Sequence, residues 1–304
     1  MNKYTLKRWI ESHWQIGVSM ARKGWLNGLS DKAYLSIMYR ASFGKKLNWK
    51  NPVSFNEKLQ WLKLYDRKPV YRTMVDKFES KQYVAERVGG EYVVPVIGGP
   101  WDSFDEIDFD VLPEQFVLKT THDCGGVWIC KDKDSLDHAA ARRFIETHLK
   151  NNYYLHCREW PYKDVKPRVF AERYLENPGD RDLRDYKFFC FDGVPKLMFI
   201  ASQRQNQNQE TKFDFFDMEF RHLPIINGHP NSDCEIECPA HFAQMKQIAA
   251  ELSQGIPHLR VDLYEISGQI YVGELTFSHW GGFVPFEPAA WDEQLGAWLT
   301  IPEV

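Results

Sequence analysis

The sequence predicts an α+β fold, because helices and antiparallel hairpins occupy separate stretches of the chain. Two tight turns, Asp192-Gly193 and Ser267-Gly268, each separate two runs of residues typical of strands. Residues 31–43, 134–152 and 241–254 instead show the spacing of helices. This segregation fits α+β lobes better than a parallel, doubly wound sheet.

Composition limits the classes of protein to consider. The chain has 304 residues, of which 43% are hydrophobic and 15% aromatic, enough for a sizeable core. The net charge of −4 disfavours a nucleic-acid-binding protein. No apolar run approaches the roughly 20 residues of a membrane helix, and the start does not read as a signal peptide. With six cysteines and no such signal, we expect a cytoplasmic protein with reduced thiols.

The first segment, residues 1–26, combines basic residues with three tryptophans. We interpret it as a helix that packs its tryptophans on the body of the protein. The alternative is peripheral contact with the inner face of a membrane, for which basic residues and aromatics are also suited.

Further elements follow in order. Ser54-Phe-Asn-Glu57 is a capping box that predicts the start of a helix. Residues 75–88 predict a helix that Gly89-Gly90 ends, and a strand with a proline follows at 91–97.

A lysine beside a glycine-rich loop indicates a phosphate site. The apolar strand at 115–119 ends in Lys119, and the polar loop that follows contains Gly125 and Gly126. Glycines let backbone N–H groups approach an anion, and a lysine suits phosphate. Many ordinary hairpins share this pattern.

The hairpin around Ser267-Gly268 carries two carboxylates. Side-chain alternation puts Arg260 and Asp262 on one face, and pairing sets Asp262 within about one residue of Glu274 on the return strand. Such a cluster is costly to hold unless a cation and an anion lie within it. Magnesium bound to a nucleotide phosphate fits, and a solvated ion pair on a surface hairpin is the alternative.

Taken together, these motifs resemble the ATP-grasp superfamily, and more closely its TupA-like branch, over roughly residues 50–300. The segments that carry the likeness to the branch are 56–66, 185–193 and 273–277. The resemblance implies two lobes whose antiparallel sheets grip ATP. It divides the chain into an N-terminal helical extension (1–50), an N-terminal lobe (51–115), a small lobe with the phosphate loop and hinge (116–175) and a large lobe with the metal and acceptor site (176–304).

The resemblance also implies roles for individual residues around ATP. Lys77 and Lys119 match the two lysines that contact phosphate, and the loop with His122 would close over it. We leave open whether His122 touches phosphate or pairs with Asp123. The adenine would contact the hinge segment, which contains Glu172, Tyr174 and Leu175. The ribose would contact Asp185, beside which Lys187 lies on the same strand. The γ-phosphate would contact Arg204 and Lys212. A cross-strand ion pair is the alternative for Asp185 and Lys187.

The resemblance also implies which residues bind the metal and the acceptor. Asp262 and Glu274 match magnesium ligands, while Thr276 replaces the usual asparagine, which puts a second magnesium in doubt. Arg260 matches the arginine that stabilises an acyl phosphate. The segment after the metal hairpin, where related ligases bind the acceptor, contains His279, Trp280 and Gly281. Trp280 either stacks on a sugar or packs in the core.

The function that follows is an ATP- and Mg²⁺-dependent carboxylate–amine ligase. The branch implies a uronic acid of a capsular or other surface polysaccharide as acceptor, and an amino acid or small amine as its partner. Three alternatives remain open: a phosphotransferase on the same scaffold, a glycosyltransferase and a non-catalytic nucleotide-binding module. A glycosyltransferase needs a nucleotide-sugar site, often with an Asp-x-Asp pattern. The chain has two such patterns, Asp108-Phe-Asp110 and Asp132-Lys-Asp134, but both lie in polar connecting stretches.

One cluster suggests zinc. His229, Cys234, Cys238 and His241 are zinc-binding residue types, but their spacing matches no common finger and the stretch is rich in loop-forming residues. We interpret it as a surface loop.

Overall fold

The computed structural model describes residues 16–17, 19–21, 23–176, 184–203 and 210–303. Most of the predicted basic helix at 1–26 therefore lies outside the described residues. The helices are α1 (Asp31–Phe43), α2 (Phe55–Tyr65), α3 (Val70–Val75), α4 (Ser80–Val88), α5 (His138–Leu149), α6 (Tyr154–Cys157), α7 (Phe242–Ser253) and α8 (Ala290–Trp298). The strands are β1 (Val96–Trp101), β2 (Phe116–Thr120), β3 (Val127–Cys130), β4 (Val169–Arg173), β5 (Asp185–Phe191), β6 (Val194–Ser202), β7 (Lys212–Asp217), β8 (His222–Leu223), β9 (Leu259–Ile266) and β10 (Gln269–Thr276).

The strands form two antiparallel sheets, which confirms the α+β prediction. The small sheet has the order β1-β4-β2-β3 and the large sheet the order β10-β9-β5-β6-β7-β8. β1 pairs with β4, so the small sheet draws on both the 51–115 and the 116–175 segments. Helix α5 packs on the small sheet through Ala141 and Ile145.

Helices cover both faces of the large sheet. Phe188 and Cys190 of β5 pack with α7, whereas Phe189 and Phe191 pack with α2 and α8 on the other face. The alternation of β5 between two apolar cores explains why its second half, Phe188–Phe191, is entirely hydrophobic. Helix α2 thus joins the large sheet, and its start shows the predicted capping box of Ser54 with Glu57.

The predicted single helix over 75–88 is wrong in one respect. Helix α3 ends at Val75, and α4 begins only at Ser80. The carboxylate of Asp76 accepts hydrogen bonds from the N–H groups of Phe78 at 2.9 Å and Glu79 at 3.1 Å, which holds a turn between the two helices. Lys77 lies in this turn rather than on a helix.

The predicted turn at Asp192-Gly193 joins β5 and β6 as expected. Within the described residues, no helix is both long and apolar enough to cross a membrane.

Candidate functional site

The β9–β10 hairpin places its two carboxylates opposite each other. Asp262 pairs with Glu274 in the register of the two strands. Ser267 and Gly268 both have positive φ, of 51° and 81°, as a two-residue turn of this type requires. The local pattern thus predicts the geometry of this pair correctly.

Asp262 is the centre of a buried ion network. Arg260 donates from Nε to Oδ1 at 2.7 Å and from Nη2 to Oδ2 at 2.8 Å, a bidentate pair. Lys187, which faces Asp262 from β5, donates to Oδ2 as well. Burial alone would raise the pKa of Asp262, but the two cations lower it below its ordinary value. Asp262 is therefore an anion whose charge the protein already neutralises.

The ribose assignment of Asp185 stays a prediction. Asp185 is buried at the start of β5, and Lys187 lies 3.3 Å from its Oδ2. Lys187 also forms the cross-strand pair with Asp262, which corresponds to the alternative for this residue.

Glu274 differs from Asp262 in having no cation of the protein bound to its carboxylate in the described part of the chain. It is half-buried. Mg²⁺ is coordinated by oxygen ligands, and carboxylate and hydroxyl oxygens are of this type. Glu274, Asp262 and Thr276 therefore fit such an ion by their chemistry. The Thr276 hydroxyl accepts from Arg260 Nη2 at 3.0 Å, so it is a shared and weaker ligand.

Arg260 continues the network into the predicted acceptor segment. Its Nη1 donates to His279 Nδ1 at 2.8 Å, and His279 Nε2 lies 2.7 Å from Asn227 Oδ1. Burial, together with the charge of Arg260, holds the pKa of His279 well below its usual range. His279 is thus a neutral imidazole that accepts from Arg260 and donates to Asn227, and it fixes the guanidinium in place.

The turn at His279–Gly282 is held in place by a lysine of helix α2. Lys63 of α2 is buried and donates to the carbonyl oxygens of Gly281 at 2.6 Å and Cys157 at 3.0 Å. Trp280 has a positive φ of 51° and remains 42% exposed. A bulky residue in this conformation is held there by its surroundings. Its ring lies over Gly228, where a Cβ would come within 3.3 Å of it.

The small sheet carries a second buried cluster. Glu172 of β4 pairs with Lys119 of β2 at 2.5 Å and with Lys81 of α4 at 2.6 Å. Burial would raise the pKa of Glu172, but the two lysines hold it below its ordinary value. Lys81 was not predicted from the sequence. The one available signal is its position four residues after Lys77.

The loop after Lys119 is tied together by Asp123. Its carboxylate accepts from Thr120 and pairs with His148, and its carbonyl oxygen accepts from Lys77 Nζ. Gly126 is required, because a Cβ there would lie 1.8 Å from Thr120 Oγ1.

His122 does not pair with Asp123, so this alternative is wrong. Its Nε2 contacts the carbonyl oxygen of Asn151 at 2.9 Å, and His148 takes the place beside Asp123. Burial lowers the pKa of His122, so the side chain is neutral. Contact of His122 with phosphate stays a prediction.

Three further predicted positions fall within the described residues. Tyr174 and Leu175 follow directly after β4, where an adenine hinge is expected. Lys212 begins β7, with its Nζ 3.7 Å from Glu210. Arg204 lies outside the described residues.

The zinc cluster does not assemble. Cys234 and Cys238 are exposed, free thiols. Among the described residues, the one set of three metal-type side chains that lie close together is Glu114, Asp132 and Asp134, all exposed.

Parts of both clusters line one cleft: Lys77 and Lys81, together with Gly273 and Glu274 of β10. Lys119 is joined to Lys81 through Glu172, and Asp262 is the register partner of Glu274. We call the lysines Lys77, Lys81 and Lys119 the cationic wall, and the carboxylates Asp262 and Glu274 the anionic wall.

Two antiparallel sheets that bring such walls together define an ATP-grasp protein. Within this class, the chain belongs to the TupA-like ATP-grasp family, which it matches over residues 57–300. No curated protein matches the chain significantly.

Several solved structures of ligases are similar to the chain. One is a D-alanine–D-alanine ligase from Bacillus anthracis complexed with ATP, with 19% identity and a TM-score of 0.38, over 67% of this chain and 54% of the ligase. The enzyme from Helicobacter pylori has 12% identity and a TM-score of 0.44, over 81% of this chain and 69% of that one. The ATP-grasp ligase PsnB, complexed with minimal precursor, Mg and ADP, has 11% identity and a TM-score of 0.41, over 84% and 65%. The chain spans about half the length of the Bacillus anthracis ligase.

Proposed function

We propose that this protein is an ATP-dependent carboxylate–amine ligase that forms an amide through an acyl phosphate. The observation that carries the proposal is the cleft in which Lys77 and Lys81 face Glu274. A nucleotide triphosphate needs cations around its phosphates, and its magnesium needs oxygen ligands on the other side. Membership of the TupA-like ATP-grasp family supports the same ligand.

The residues divide the work of the first step. Lys77 and Lys119 neutralise phosphate charge that would otherwise repel an attacking carboxylate. Asp262, Glu274 and Thr276 would hold Mg²⁺, which supplies further charge neutralisation when it is bound. Asp262 and His279 fix Arg260 in place, and its second Nη1 N–H would bind the acyl phosphate formed when the substrate carboxylate attacks the γ-phosphate.

We further propose that the carboxylate belongs to a uronic acid of a capsular or other surface polysaccharide, and that the amine is an amino acid or a small amine. The family resemblance is the basis of this choice. The exposed ring of Trp280, adjacent to the Arg260-bound His279, offers a face on which a sugar ring can stack.

The experiment is acyl-phosphate trapping. The full-length protein is incubated with Mg-ATP, hydroxylamine and a panel of uronic acids and uronate-containing oligosaccharides, and products are identified by mass spectrometry. Hydroxamate formed together with ADP is the expected result. ADP with a stable phosphate ester would instead identify a phosphotransferase, and a panel without ADP formation would count against both.

A further inference from the structure

The hairpin that carries the two carboxylates is irregular, because β10 has one residue more than β9 between its two halves. In the half next to the turn, the register sets Val272 opposite Leu263. In the other half the register is shifted by one residue, and Glu274 lies opposite Asp262. Gly273 is the extra residue, so a β-bulge lies directly before the proposed metal ligand Glu274.

The bulge decides which face of the sheet Glu274 occupies. Val272 before it and Leu275 after it both lie in the apolar core with helix α7. Residues two apart share a face of a regular strand, whereas these two are three apart, as an extra residue between them requires. A regular register after the two-residue turn would set Gly273 opposite Asp262, one residue short of Glu274. The bulge therefore brings Glu274 to the face that carries Asp262.

The side chain of Tyr264 lies over this bulge. Alternation along β9 puts Tyr264 on the same face as Asp262, and its ring occupies the space beside Gly273. A Cβ added to Gly273 would lie 2.8 Å from Cζ and 2.9 Å from the hydroxyl oxygen of the ring. Only glycine at this position leaves room for the ring against the backbone of the bulge.

The two opposed carboxylates differ in their partners. Asp262 binds Arg260 and Lys187, whereas the carboxylate of its neighbour Glu274 binds no cation of the protein among the described residues. Arg260 is within reach of β10, because the shorter side chain of Thr276 accepts from its Nη2 at 3.0 Å. Directly opposed side chains of a regular antiparallel pair are close enough to share such partners. The extra residue bends and twists the strand, and this accounts for the separation of Glu274 from the two cations.

We propose that Gly273 and Tyr264 are positioning residues for Glu274. The bulge that they form holds the Glu274 carboxylate away from Arg260 and Lys187, so that it stays available to the magnesium ion of Mg-ATP. This inference rests on the proposed ligase function. A carboxylate already paired with a protein cation would have to give up that partner before it could bind a metal ion.

Deletion of Gly273 tests the bulge by itself. The shortened strand keeps every pair beyond the bulge, Glu274 opposite Asp262 included, because a regular register then gives the same partners. Calorimetric titration of ATP with and without Mg²⁺ measures the magnesium gain, the factor by which Mg²⁺ tightens ATP binding. We expect magnesium-free binding within about twofold of the parent protein, but a magnesium gain of less than about twofold.

A double-mutant cycle tests the ring without relying on the deletion variant. Tyr264→Ala removes the ring from the bulge and Gly273→Ala displaces it, so each should lower the magnesium gain by about threefold or more. The double variant should lose no more than either single variant, since no ring is left to displace. Gly28→Ala is the matched control and should keep the full gain, because an added Cβ at this exposed glycine meets no atom within 4 Å.

The outcomes separate positioning from a general loss of structure. A full magnesium gain in the deletion variant, at an unchanged melting temperature, would overturn the proposal. Equal weakening of ATP binding with and without Mg²⁺ would also overturn it, and so would losses that add in the double variant, because the ring would then not act through Gly273. A parent protein whose ATP binding does not respond to Mg²⁺ would contradict the proposed ligase function itself, and this inference with it.

Discussion

The cationic and the anionic wall both hold a buried carboxylate between two cations, but their clusters differ in net charge. On the small sheet, Glu172 lies between Lys119 and Lys81, so the lysines outnumber it and the cluster keeps a positive charge. On the large sheet, Asp262 is balanced by Arg260 and Lys187, but Glu274 adds a charge for which the protein supplies no cation among the described residues. The difference teaches that the cleft is built for a ligand with a negative and a positive part.

The largest expected effect follows from breaking the anionic wall. Glu274→Gln removes the unpaired charge while keeping the shape of the side chain, so we expect ADP formation to fall by on the order of 10³-fold. The melting temperature should change little, because no ion pair is lost. Steady-state ADP release and thermal unfolding measure both, with Glu293→Gln as the control on an exposed helix face. Retained activity would show that the charge of Glu274 is not needed for the reaction.

Two buried carboxylates, Glu159 before the turn at Trp160–Tyr162 and Glu172 of the small sheet, should differ in the pH dependence of stability. The pKa of Glu159, raised by burial from 4.5 to about 7, makes its contribution unfavourable as pH rises, by about 3 kcal/mol between those values. Glu159→Gln should therefore gain stability relative to the parent protein between pH 5 and pH 8. Glu172, whose pKa is lowered by Lys119 and Lys81 against the effect of burial, stabilises the fold above its unfolded pKa and loses that effect in acid.

Urea unfolding at pH 3, pH 5 and pH 8 checks this contrast, because Glu172 titrates below its unfolded pKa of 4.5 and Glu159 between 4.5 and about 7. Glu172→Gln should lose more stability at pH 8 than in acid, because it leaves two lysines without their partner. The contrast between the two carboxylates would be contradicted if the stability of both variants, relative to the parent protein, changed in the same direction with pH.

A smaller effect is expected from the removal of one lysine of the cationic wall. Lys81→Met leaves Glu172 paired with Lys119, so the fold should persist while the KM for ATP rises by about tenfold. Lys196→Met, an exposed lysine on β6, is the matched control. An unchanged KM would show that Lys81 serves only to neutralise Glu172.

The smallest effect should come from outside both walls. Gly228 has a φ of 80°, and a Cβ there would approach the Trp280 ring to between 3.2 and 3.3 Å. We expect Gly228→Ala to cost about 1 kcal/mol of unfolding free energy and to raise the KM for the proposed uronate acceptor, with the KM for ATP unchanged. Denaturant unfolding and acceptor kinetics measure these effects. A change confined to ATP would place Trp280 away from the acceptor.

Local patterns predicted the parts of the molecule that local forces build. The pairing of Asp262 with Glu274 follows from strand alternation and a two-residue turn, and the capping box at Ser54 and Glu57 needs four consecutive residues. The break between α3 and α4 was missed, because it depends on the Asp76 side chain.

The missed site residues depend on contacts between distant segments. Lys81 meets Glu172 only once α4 has docked against β4, and no spacing in the sequence encodes that contact. His148 displaces His122 as the partner of Asp123, since helix α5 delivers it from 25 residues away.

Calorimetric titration of ATP, with and without Mg²⁺, tests the two walls most directly. We predict that Mg²⁺ tightens binding to the parent protein by at least about tenfold, and that Glu274→Gln abolishes this gain while keeping the weaker, magnesium-free binding. If Lys119 contacts the phosphates as proposed, Lys119→Met should weaken binding with and without the metal. A Glu274→Gln protein that keeps the full effect of Mg²⁺ would contradict the account.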